Sequence, residues 1–254
     1  MRVAVLSDIH SNLPALDAVL AHAGAVDAVW HLGDVVGYGP DPDGVVGRLA
    51  DIGAAGVLGN HDAAALGGPE IEWFNPEARA AVEWTRDTIA GATRAWLDGL
   101  PERLVLDSLT LVHGSPRDPL REYITSLGSA RDNLDDLGTP VGLHGHTHVP
   151  IAFVEDGGRL GVLGPRDGTV LRLEGRRALL NPGSVGQPRD GDTRASYLVL
   201  ELAEPAADGG PTGTGVADLV IRWHRVAYDI GAVQDAMRAV GLPRRLVDRL
   251  EIGA

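Results

Sequence analysis

No cysteine and no lysine occur anywhere in the 254 residues; all 22 basic residues are arginine. The missing thiols exclude disulfides, thiolate nucleophiles and zinc–thiolate sites. The missing ammonium groups exclude a P-loop lysine and Schiff-base chemistry. No run of about 18 apolar residues is present, so nothing reads as a membrane span. The apolar run after Met1 is too short for a signal peptide, and a cytoplasmic address is expected by default. Positive charge is scarce as well. A formal net charge of −13 speaks against a broad nucleic-acid-binding face, because phosphate backbones repel such a surface. A small phosphorylated ligand stays open, since bound cations reverse the local field. Chemistry here is left to His, Asp, Glu, Asn, Ser, Tyr and Arg.

Residues Val3 to Leu6 form a short unbroken apolar run, the pattern of a strand covered on both faces. Leu16, Val19, Leu20 and Ala23 follow at helical spacing, with Pro14 at a first-turn position that tolerates it. Two more apolar runs, Ala28 to Leu32 and Gly56 to Leu58, flank a helical stretch from about Asp43 to Ile52. Alternation of this kind predicts a parallel sheet. The spacing then predicts one helix over residues 75 to 99, with Pro76 near its start. Arg103–Leu106 and Leu109–Val112 read as a hairpin. A strand at Val141–Leu143 follows, and from Ile151 onward the texture is β. A Pro/Gly/Ala-rich segment at about 203–217 reads as a mobile loop. A helix from about Gly231 to Val240 closes the chain. No repeat or linker interrupts this pattern, so one domain spanning 1–254 is expected.

Five motifs each follow an apolar run: Asp8-Ile9-His10, Gly33-Asp34, Gly59-Asn60-His61-Asp62, His113-Gly114 and Gly145-His146-Thr147-His148. In an open α/β sheet, ligands gather beyond the carboxyl ends of the strands, so all five should converge. Along extended chain, residues i and i+2 share a side. Asp8 and His10 can then grip one ion together, and His146 and His148 can face one pocket. The donors are hard oxygen and imidazole only, which suits Mn, Fe, Zn, Ni or Mg, with Mn favoured. Seven donors are too many for one tetrahedral ion but fit two ions sharing a carboxylate. Alternation points His31 and His144 away from the ions, with orienting a metal ligand or touching substrate as the alternative for each, and His22 and His224 read as structural. Asp62 reads as a cap. Asp41 and Asp43 read as loop and helix-cap residues.

These motifs, in this order over roughly residues 1–190, resemble the calcineurin-like metallophosphoesterase superfamily. The resemblance implies an α/β, four-layer α-β-β-α sandwich, with two central mixed sheets flanked by helices. It implies two divalent metal ions: Asp8, His10 and His148 on the first, Asn60, His113 and His146 on the second, and Asp34 bridging. His61 becomes the catalytic histidine. A hydroxide between the ions would attack phosphorus, making the protein a phosphatase or phosphodiesterase acting on a small phosphorylated metabolite or nucleotide.

Gly33-Asp34-Val35-Val36-Gly37-Tyr38-Gly39-Pro40 departs from the Ser/Thr protein phosphatases and the symmetrical diadenosine tetraphosphate hydrolases, where an arginine follows the bridging aspartate. It resembles a prokaryotic branch of small phosphoesterases related to diadenosine tetraphosphatases. Tyr38 and Arg189 are the candidate substrate contacts, Arg189 because a planar guanidinium suits phosphate oxygens. Asn181 to Ser184 reads as a turn, with a phosphate contact by Ser184 as the alternative. Two other functions stay open: a nucleotide pyrophosphohydrolase acting on dinucleoside polyphosphates, and a non-catalytic scaffold of the retromer-subunit type.

Overall fold

The computed structural model describes residues 1–202 and 219–254; the loop expected at about 203–217 lies outside the described residues. The first part of the chain alternates β1 (Arg2–Leu6), α1 (Leu13–Ala23), β2 (Ala28–His31), α2 (Pro42–Asp51), β3 (Ala55–Gly56) and α3 (Asn60–Leu66). A 3₁₀ turn (Pro69–Trp73), α4 (Pro76–Thr88) and α5 (Gly91–Asp98) follow. Next come β4 (Arg103–Leu106), β5 (Leu109–Val112), α6 (Leu127–Asp135) and β6 (Val141–Leu143). The remainder comprises β7 (Ile151–Asp156), β8 (Arg159–Leu163), β9 (Val170–Arg172), β10 (Arg177–Asn181), β11 (Ala195–Glu201), β12 (Val220–Val226), α7 (Ile230–Ala239), α8 (Arg244–Asp248) and a last 3₁₀ turn, Arg249–Glu251. No helix among the described residues is long and apolar enough to cross a membrane.

Helix starts follow their caps. The Asn12 side chain accepts from Ala15 N at 3.1 Å ahead of Pro14, and Asp41 accepts from Gly44 N at 2.9 Å ahead of Pro42. Each cap satisfies a donor that the first helical turn cannot bond internally. Asp43 lies in the first turn of α2 and accepts from Ala90 N at 3.0 Å, tying α2 to the start of α5. The single helix predicted over 75–99 is broken: Ile89 and Ala90 are extended. Arg94 compensates by donating to Arg86 O at 2.8 Å, near the end of α4. Helices α3, α6 and α8 were not foreseen; α3 begins inside a motif that reads as loop.

Two six-stranded sheets form among the described residues, in the orders β3-β2-β1-β11-β12-β9 and β4-β5-β6-β10-β7-β8. β1 runs parallel to β2 (Val3↔Ala28) and antiparallel to β11 (Val3↔Leu200). The late strands, expected to build the second sheet, do so only in part, through β7, β8 and β10. The others, β9, β11 and β12, extend the first one. Alternation along β1 explains the layering. Ala4 and Leu6 face the helices α1–α5, whereas Val3 and Val5 face the second sheet with Leu111, Leu143 and Leu180. The outer face of the second sheet is covered by α6 through Ala130 and Leu134 on Phe153 and Leu179. Helices thus flank two packed mixed sheets. The C-terminal helices add Val233, Met237, Leu246 and Leu250 to Tyr38 and to Ala78 and Ala81 of α4, closing one side of the sheet rim.

Candidate metal centre and active site

The loops after β1, β2, β5 and β6 and the start of α3 are laced together at one rim. Asp8 N donates to Gly33 O (3.2 Å), His10 N to Asp34 O (3.0 Å) and Gly145 N to His113 O (2.8 Å). Glycine permits these approaches: a Cβ on Gly59 would lie 2.1 Å from Asp34 N, and one on Gly145 only 1.9 Å from Ser7 Oγ.

Strand alternation is not what aims the donors. β1 stops at Leu6 and β6 at Leu143, and the motif residues beyond them turn through the left-handed region: Asp8 (φ 53°), His10 (50°), Asp34 (51°), His146 (66°) and His148 (60°). Such non-glycine conformations cost about 1–3 kcal/mol each and cluster where side chains must be aimed at a ligand. His146 and His148 both line one cavity, as expected. The turns split them between two groups, Asp8/His10/Asp34/His148 and Asp34/His113/His146, which have Asp34 in common.

Each carboxylate is divided in function. Asp8 Oδ2 accepts from Ser7 Oγ (2.7 Å) and His146 N (3.2 Å), while its buried Oδ1 has no hydrogen-bond partner. Asp34 Oδ1 accepts from His61 N at 2.8 Å; its Oδ2 lies 3.6 Å from His10 Nε2 and 3.4 Å from His113 Nε2. The imidazoles are divided in the same way. His10, His113 and His148 each bond through Nδ1 to a backbone carbonyl, of Val36 (3.1 Å), Leu32 (2.8 Å) and Gln187 (2.6 Å). His146 bonds through Nε2 to Arg121 O at 3.3 Å. A carbonyl can only accept, so each of those nitrogens carries the proton and the opposite lone pair faces inward.

Those lone pairs crowd. His10 Nε2 is 3.2 Å from His148 Nε2, and His113 Nε2 is 3.0 Å from His146 Nδ1 and 2.9 Å from Asn60 Oδ1. Burial holds His10 and His148 well below the usual imidazole range and His146 at about 3, so these rings stay neutral. Burial also disfavours charge on His113, but the Asp34 carboxylate beside it prevails and lifts it to about 9. A proton on His113 Nε2 would relieve the crowding only locally. The orphaned Asp8 oxygen, the converging lone pairs and the hard oxygen and imidazole donors fit a pair of divalent cations sharing Asp34.

A centre of this kind stabilises the folded chain by mass action, because the unfolded chain lacks it. Saturating Mn²⁺ added to chelator-stripped protein is expected to raise Tm by about 5–10 °C, from about 2.7 kcal/mol at a hundredfold excess over Kd. Differential scanning fluorimetry reads this directly; an unchanged Tm with every divalent cation contradicts the site.

A polar cavity of about 140 Å³ opens over the cluster, lined by Asp34, Asn60, His61 and His148 together with Tyr38 and Arg189. His61 stacks on Phe74 (4.4 Å between ring centroids) and lies against Tyr38 (4.3 Å). Burial lowers it to about 4. Arg189 Cζ lies 5.7 Å from the Tyr38 ring centre, and its Nη2 donates to Gln187 Oε1 at 3.0 Å. Gln187 Oε1 also accepts from Arg249 Nη1 at 3.2 Å.

Neighbouring polar groups serve as scaffold. Asp62 accepts from Val36 N and Gly59 N. Asn181 Nδ2 holds Gly145 O at 2.7 Å. Ser184 Oγ is fully buried and occupied by Asp8 O and Gln187 N at 2.8 Å each, which rules out the phosphate contact considered for it. His31 lies against Trp96 of α5 (5.4 Å), and His144 Nδ1 is 3.4 Å from Asn181 Nδ2; neither joins the cation groups. Trp73, Phe74, Tyr123, Gln187 and Arg249 were not foreseen at the site. Adjacent Trp73 and Phe74 in a chain with only two Phe and five Trp were the available signal.

The family model described as calcineurin-like phosphoesterase superfamily domain matches residues 1–205. A metallophosphoesterase of Sphaerobacter thermophilus is 42% identical, with a TM-score of 0.86 over 100% of this chain and 99% of that one. An uncharacterized protein of Methanocaldococcus jannaschii is 34% identical over 260 residues, covering 99% of this chain and 98% of its own. A hypothetical protein of Pyrococcus horikoshii shares the fold at 20% identity, with a TM-score of 0.74 over 100% and 98% of the two chains.

Proposed function

This chain belongs to the calcineurin-like phosphoesterase superfamily and is a metal-dependent phosphoesterase; from that premise we propose that it hydrolyses phosphate mono- or diesters of a small metabolite or nucleotide at two divalent cations sharing Asp34. The observation that carries the reading is Asp34 Oδ2, set between the two donor groups at 3.6 Å from His10 and 3.4 Å from His113. In this proposal Asp8, His10 and His148 hold one cation, Asn60, His113 and His146 the other. Mn²⁺ is the favoured ion for such hard donors. When bound, the pair supplies a water activated near neutral pH and neutralises charge on the phosphoryl oxygens.

The chain's own groups do the rest. The backbone N–H of His61 fixes Asp34 Oδ1, so Oδ2 is not free to swing away from its shared position. The His61 ring, kept neutral by burial, lines the cavity between Tyr38 and Phe74 and donates an N–H hydrogen bond to the departing oxygen. Arg189 presents a planar cation to the non-bridging phosphate oxygens. Arg249, held to Arg189 through Gln187, adds positive charge behind it. That extra charge favours a second reading, cleavage of a nucleotide pyrophosphate, in which a further phosphate would use it.

A panel separates the readings: an aryl phosphate, a bis-aryl phosphate and a dinucleoside polyphosphate, each tested with Mn²⁺, Ni²⁺, Zn²⁺ and Mg²⁺ after chelation. Hydrolysis of at least one ester, dependent on added metal, is expected. Turnover confined to the polyphosphate selects the second reading. No turnover with any metal overturns both.

A further inference from the structure

A second cavity, of about 330 Å³, opens off the first and shares Asn60, His146, Trp73, Phe74 and Tyr123 with it. The two differ in character. The inner one is walled by the carboxylate, imidazoles and guanidinium described above; the outer one is walled mainly by rings and Leu120. Two ring stacks lead outward from the donor cluster. His61 carries Phe74 on one side (4.4 Å, 28° between planes), and His146 carries Tyr123 on the other (3.8 Å, 24°). At the rim the Arg121 guanidinium lies 3.6 Å over the Trp73 ring and is held by Glu70 at 3.2 Å, which extends the flat surface.

These rings are costly where they stand. Trp73 is 58% exposed and Tyr123 51%, in a chain with only two Phe, four Tyr and five Trp. Exposed aromatic surface grouped at the mouth of a polar site marks a ligand surface. Flat rings and a stacked guanidinium recognise another flat ring, and the volume matches a small-molecule subsite.

We infer that the outer cavity is a subsite for a planar aromatic group on the substrate, a nucleobase carried by a sugar phosphate, with the phosphate in the inner cavity. The placement of the phosphate rests on the phosphoesterase reading; the ring subsite does not. Stacking on Trp73 sets affinity without touching the reacting atoms, so its loss belongs in KM and not in kcat.

The test has two arms. In the first, adenosine and ribose are titrated into metal-stripped protein and followed by calorimetry and tryptophan fluorescence. Adenosine is expected to bind and ribose not to bind. Trp73→Leu should weaken adenosine by about tenfold, and Trp73→Phe, which keeps a ring, by less than about threefold. Trp73 is exposed, so an unchanged Tm confirms that each variant is folded. In the second arm the Mn²⁺-loaded protein is given adenosine monophosphate and ribose 5-phosphate. The kcat/KM ratio of the two should exceed about ten in the wild type and approach one in Trp73→Leu, through KM. Absent adenosine binding, or equal binding by wild type and Trp73→Leu, overturns the subsite. Intact, Trp73-dependent adenosine binding without turnover of any ester upholds the subsite and overturns the phosphoesterase reading instead.

Discussion

Asp34→Asn protein is expected to hydrolyse phosphate esters at least about 10³-fold more slowly than the wild type, beyond the loss usual for a single oxyanion donor. The substitution is close to isosteric. An asparagine Oδ1 can still accept from His61 N at the 2.8 Å now seen, so the start of α3 stays in place. The other branch changes sign. Where Oδ2 now offers lone pairs between His10 and His113, an amide would offer N–H groups, which repel cations. Rate and metal content should therefore fall together while the circular dichroism spectrum is retained. Raising the metal concentration should recover only part of the loss, because both donor groups lose the same atom. Full metal content with full activity in this variant would contradict the shared carboxylate.

The second large effect belongs to His61. Its ring belongs to neither cation group, although it lies edge-on to His10 at 4.9 Å, and it lines the cavity above them. His61→Ala should keep the metal content of the wild type and lose about 10²–10³ in kcat, the range for a positioned hydrogen-bond donor to a developing oxyanion. The loss should shrink for aryl leaving groups of low pKa, which depart without that hydrogen bond. A comparison of p-nitrophenyl and alkyl phosphates reads this dependence. Equal losses on both substrates would mean that His61 acts through Tyr38 and Phe74, the rings it packs against, and not on the leaving oxygen.

Much of this centre can be read from the chain because each donor follows an apolar run, and such runs become strands whose ends share a rim. Asp8, His10, Asp34, Asn60, His113, His146 and His148 come together there, with His61 and Arg189 in the adjoining cavity. How they are aimed is not legible. Strand alternation has a period of two, but the donors lie past the strand ends in left-handed turns, where that period no longer applies. Sheet assignment was legible only in part. β1 reads as doubly covered and is, whereas its pairing with β11 depends on contacts across some 200 positions, Val3 with Leu200 among them. The break at Ile89 and Ala90 was missed because helical spacing continues across it. The aromatic wall was missed for a different reason. Trp73 and Tyr123 come from unrelated segments, and only the folded chain brings both to the mouth of the cavity. Arg249 is likewise delivered by the C-terminal helices, beyond residues 1–205, which the family model matches.

Anomalous scattering from crystals of the wild-type chain grown with Mn²⁺ tests the central claim most directly. Two peaks are predicted, about 3.5–4 Å apart, the spacing of paired catalytic ions. One should lie among Asp8, His10 and His148 and the other among Asn60, His113 and His146, with Asp34 Oδ2 between them. A single peak, or peaks away from Asp34, would contradict the account.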